Sequence, residues 1–209
     1  MDADDFLETV RNENQTALSR LGSSKALYAL TGGELNAENI EQVAAGLADV
    51  NADLFGKWPG EVDEGSDEEL TSFYAKIADE EGDWYDSLDV DVDGNEYAFH
   101  ETLREYHSPV TRTAALVGYT LVELKLADQF VGFYVGNADP QTAQTFRDRK
   151  GTLEARLDAA TEHLARICTD EEGEDEETAE RVASEVVQSA YEVYTDRLEE
   201  MGVNPKPVC

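Results

Sequence analysis

The chain has 209 residues, 47 of them acidic and 16 basic, for a formal net charge of -31. The carboxylates are spread along the whole length, so the basic stripe that phosphate-backbone binding needs is missing and direct nucleic-acid recognition is not expected. With 41% apolar residues, including nine tyrosines and seven phenylalanines, the chain is too hydrophobic for a disordered acidic tail and must bury a core.

Phe6, Val10, Leu18 and Leu21 recur at helical spacing and predict an N-terminal helix up to Gly22. Ser24 to Leu30 reads as a short turn before the break Thr31-Gly32-Gly33. Asn36 is placed to cap a helix whose inner stripe is Ile40, Val43, Leu47, Val50, Leu54 and Trp58, stopped by Pro59-Gly60. Ser66 with Glu69 forms a capping box ahead of a helix with the stripe Leu70, Phe73, Ile77, Trp84 and Leu88. After an aspartate-rich loop, a short helix is expected from about Glu96 to His107. Ser108-Pro109 and Asp139-Pro140 each set a capping side chain before a proline at the first helical position. The first pair opens the most apolar helix, running to Gly136 through Val110, Val117, Leu121, Leu124, Val131 and Val135, which belongs at the centre of the fold. The second opens a helix with Phe146, Leu153, Leu157, Leu164 and Ile167. Asp170 to Glu177 reads as a solvated acidic loop. A last helix carries Val182, Val186, Tyr194 and Leu198 and ends at Gly202. Sustained period-2 alternation is missing, so the fold class is all-α, a single-domain bundle of about six or seven helices.

A net charge this large destabilises a compact state by self-repulsion unless counterions screen it, and molar salt shortens the screening length to about 3 Å. The composition therefore predicts a halophilic protein of a salt-rich cytoplasm. The opening residues lack the basic stretch and apolar run of a secretory leader. Glu123, Lys125 and Asp128 interrupt the longest apolar stretch and would be costly in lipid, so no membrane association is expected. Two cysteines, Cys168 and Cys209, are too few for a disulfide framework.

Few residues combine into a recognisable chemistry. Asp89, Asp91 and Asp93, followed by Gly94, match the first half of an EF-hand calcium loop. The twelfth position, which should supply a bidentate glutamate, is His100, so a solvated loop is the favoured reading. His100 and His107 lie about 10 Å apart along a helix, too far to share a metal, and with His163 they read as polar-face or half-buried side chains. The chain has no G-x-S-x-G and no glycine-rich phosphate loop. A di-metal carboxylate bundle needs single glutamates from two helices and Glu-x-x-His from two others, and Glu-x-x-His is also missing.

The segment Phe73-Tyr-Ala-Lys-Ile-Ala-Asp-Glu-Glu81-Gly-Asp-Trp84-Tyr85 resembles the second metal-ligating helix of rubrerythrin-like proteins in the ferritin-like superfamily. Residues 21–33 and 131–140 likewise resemble a haloarchaeal rubrerythrin-like group. The resemblance covers about residues 20–168 and implies a four-helix core over about 36–168, to which the pattern adds an N-terminal helix over 1–30, a C-terminal helix over 176–202 and a tail over 203–209. It implies ligand positions at Asp49 or Asp53, Glu81 and Glu123. Trp84 stands where the family carries histidine, and an indole has no lone pair for a metal.

Three functions follow as expectations. The first is a bundle that has lost its metal centre, needs no cofactor, is not an enzyme and serves as a binding or regulatory module for a protein partner, or pairs as a homodimer. The second is a metal-dependent oxidoreductase with an all-carboxylate site of Asp49 or Asp53, Glu81 and Glu123, whose oxygen donors suit Fe, Mn or Ca. The third is a maturation chaperone or adaptor.

Overall fold

The computed structural model describes residues 1–61, 68–88, 90, 92, 96–169 and 173–205. Among these residues all regular structure is helical: α1 (Ala3–Glu13), α2 (Gln15–Leu21), α3 (Ser24–Leu30), α4 (Ala37–Lys57), α5 (Glu68–Leu88), α6 (Ala98–Arg104), α7 (Pro109–Gly136), α8 (Pro140–Ile167) and α9 (Glu174–Glu200), with a 3-10 turn over Trp58–Glu61. No helix among them is long and apolar enough to cross a membrane.

The caps read from sequence do set the long helices. The Asn36 side chain accepts from Asn39 N–H, Ser108 from Thr111 N–H and Asp139 from Thr142 N–H, and proline follows the last two. The Ser66 capping box and the aspartates of the proposed calcium loop, Asp89, Asp91 and Asp93, lie outside the described residues, as does Cys209.

Three expectations need correction. Residues 1–30 form three short helices rather than one helix and a turn, and Ser24–Leu30 is helical. Asn14 makes the first break. Its side chain bonds the Val10 carbonyl (2.9 Å) and Ser184 Oγ (2.8 Å), and accepts from Gln188 (2.6 Å), which pins the α1–α2 corner to α9. The last helix begins at Glu174 instead of 176. Its first turn holds Glu174, Asp175, Glu176 and Glu177, where carboxylates favour the positive end of the helix dipole. Val135 is 53% exposed, and the buried residue of that turn is Tyr134.

Helices α4 and α5 pack as one hairpin and α7 and α8 as another, the second closed by only three residues, 137–139. Helix α7 is enclosed on several sides, since α9 packs along it and α2 and α3 also touch it. The α7–α9 contact is unusually close. A Cβ built on Gly118 would lie 2.3 Å from the Ala183 carbonyl oxygen, so only glycine lets the two backbones approach this way. One apolar core runs through all the helices, from Phe6 to Leu198.

Candidate functional site

The two hairpins face each other across a buried polar seam. Helix α4 contributes Asn51, α5 Glu81, α7 Glu123 and α8 both Arg149 and Arg156; none is more than 8% exposed. Each side chain replaces an apolar residue on the inner stripe of its own helix. Asn51 sits between Leu47 and Leu54, Glu81 between Ile77 and Trp84, and the two arginines flank Leu153.

The contacts are unequal. Arg149 Nη2 donates to both Glu81 oxygens at 2.7 and 2.8 Å, and Arg156 Nη1 donates to Glu81 Oε1 at 2.5 Å. Glu123 receives longer bonds: Arg149 at 3.4 Å, Arg156 at 3.3 Å and Asn51 Nδ2 at 3.3 Å. Burial alone would raise Glu81, yet Arg156 and Arg149 hold it below the ordinary carboxylate range. Glu123 is pushed up to about 7 by burial and by the Glu81 charge, which its arginine contacts offset only in part. Burial would lower Arg156, but Glu81 and Glu123 raise it instead.

Beside the seam lies a cavity of about 30 Å³, room for a water or two. Ala44, Leu47, Ala48, Leu126 and Phe130 supply apolar wall, and Asn51, Glu81, Glu123 and Arg149 the polar end. Among the described residues Asn51 Oδ1 and Arg156 Nε have no hydrogen-bond partner. Trp84 closes the cavity from outside. It is half-buried, edge-on to Phe146 at 5.3 Å, with the Arg149 guanidinium 5.6 Å from its ring centre. The seam is therefore braced by arginine, and the indole stands at its edge rather than filling its middle.

Of the four carboxylates singled out from sequence, the fold brings Glu81 and Glu123 together. Asn51 is the α4 residue that reaches them. Asp53 is exposed and pairs with Lys57 at 2.6 Å, and Asp49 is half-buried on the same helix. Arg149 and Arg156 were missed. Their signal was two cations seven residues apart on the apolar stripe Phe146, Leu153, Leu157 of a chain short of cations.

A di-iron or di-manganese centre does not fit this arrangement. Guanidinium occupies the carboxylate oxygens, cannot shed its proton and offers no lone pair. Among the described residues no group of three or more His, Cys, Asp or Glu side chains is placed to hold a metal ion. The histidines lie elsewhere: His107 is exposed, His163 packs on Phe73 at 4.6 Å, and His100 is wholly buried rather than half-buried. Comparison with protein-family models, curated proteins and solved structures gives no match.

Proposed function

We propose that this chain is a ferritin-like helical bundle in which an arginine–carboxylate brace takes the place of a di-metal centre, and that it works in a salt-rich cytoplasm as a binding or regulatory module without redox chemistry of its own. The observation that carries the reading is the pair of short Arg149 and Arg156 contacts to Glu81. Support for the fold relation comes from the layout: two helical hairpins, each contributing polar side chains to one central seam, as in di-metal carboxylate bundles. Within that layout Glu81 keeps a ligand-type residue, and Trp84 follows it three positions later where histidine would complete the motif.

Two cations in the seam hold Glu81 ionised and reach Glu123, a charge task comparable to the one a metal pair performs in the metallated fold. Direct metal analysis tests the reading. Protein purified without chelator and then equilibrated with Fe(II), Mn(II) or Ca(II) is expected to retain far less than one ion per chain after desalting. A stoichiometric ion that Glu81→Gln abolishes would overturn the proposal in favour of the all-carboxylate enzyme.

A further inference from the structure

His100 is buried at the start of α6 with no solvent exposure. Its Nδ1 accepts a hydrogen bond from the backbone N–H of Tyr97 at 3.0 Å, so the third residue of the helix caps the chain that enters it. A ring nitrogen that accepts carries no proton, and the neutral tautomer with its hydrogen on Nε2 is fixed. Among the described residues that Nε2 has no hydrogen-bond partner. Around the imidazole stand the rings of Phe99 at 4.4 Å and of Tyr97 and Tyr119 at 6.0 Å.

We propose that His100 is an acid-sensitive latch: the short helix α6 stays docked on α7 and α9 only while this imidazole is neutral, and proton uptake releases it. A proton on Nδ1 would set two donors against each other and abolish the cap. It would also put a positive charge in an aromatic enclosure at the positive end of a helix. Among the described residues the neighbouring elements offer no compensating anion, and burial is the cause that acts on the ring. Helix α6 and its entry present Tyr97 and Phe99, α7 presents the neutral Tyr119, and α9 presents the cation Arg197, 4.8 Å from the Tyr97 ring centre. Burial accordingly pushes the imidazole down to about 3 from its ordinary 6.5.

The sign follows directly. Once α6 is released, His100 regains its ordinary affinity, so the released form binds the extra proton and gains population as pH falls below about 6.5. Opening should rise about tenfold per pH unit from there until the docked form itself titrates. Undocking would bare Phe99 and Leu103, both buried in the docked state, and the apolar strip they cover. Such a surface would be available to a partner only in acid.

The test is hydrogen exchange of the full chain at constant molar salt, read as protection factors of Ala98–Arg104 relative to the middle of α7, with His100→Asn as control. Asparagine can accept from Tyr97 N–H and cannot become cationic. The wild type is expected to lose α6 protection below about pH 6.5 and His100→Asn to keep it. An NMR titration of the wild-type His100 imidazole decides the matter should the variant not fold. His100 should titrate only together with loss of α6 protection. Normal titration of His100 with α6 still protected, or equal loss of protection in His100→Asn, would overturn the latch.

Discussion

The two sides of α7 are buried by opposite means. Toward α9 the helix presents Gly118 and lets backbone meet backbone at Ala183, a close contact set by the smallest side chain. Toward the α4–α5 hairpin it presents Glu123, and the gap is filled by charged side chains, a small cavity and two unpartnered polar atoms. The first contact fails if anything is added. The second fails if any partner is removed, because a buried charge left alone costs more than the pair contributes. Close packing and ionic bracing thus place different demands on the sequence within one helix.

The ionic side should break hardest. Glu81→Gln takes the three short arginine contacts from an ionised acceptor and leaves two buried guanidiniums with Glu123 and the 3.5 Å contact of Arg156 to Glu80. A loss of about 3–5 kcal/mol is expected in urea unfolding at fixed salt. Glu123→Gln should cost clearly less, since its bonds are the long ones. Its effect should also depend on pH. A carboxyl at about 7 in the folded chain, against its ordinary 4.5, holds a proton between those values that the unfolded chain has lost, so the wild type loses stability as pH rises from about 4.5 to about 7. The variant should therefore gain on the wild type as pH rises from about 5 to about 8. Equal losses for the two variants at both pH values would show that the asymmetry of the cluster carries no energetic weight.

The close-packed side is probed by Gly118→Ala, which must push α7 and α9 apart. The expected loss is about 1–3 kcal/mol, and in contrast to Glu123→Gln it should show little dependence on pH. Smallest of all should be Asp53→Asn. It removes an exposed i, i+4 pair with Lys57 and should shift stability by less than about 0.5 kcal/mol. A larger effect there would mean that α4 contributes more charge to the seam than Asn51 indicates.

Much of the helical layout was legible beforehand. Asn36, Ser108-Pro109 and Asp139-Pro140 mark helix starts through local hydrogen bonding and backbone restriction, which need no tertiary context. The errors came where tertiary contacts override local signals. Asn14 breaks the first helix because Ser184 and Gln188, some 170 positions away, offer its side chain partners. The family resemblance singled out Glu81 and Glu123 together with Asp49 or Asp53, and the two aspartates lie outside the cluster.

By itself, the order of residues determined the all-helical architecture, most helix limits and the apolar stripe of each helix, since periodicity and capping act within a few residues. Which charges sit on a buried stripe was also there to be read, in Glu81, Arg149 and Arg156. Their pairing was decided only in three dimensions. An arginine on α8 meets a glutamate on α5 because two hairpins close on one seam, and the low dielectric there makes an unmatched charge too costly to keep.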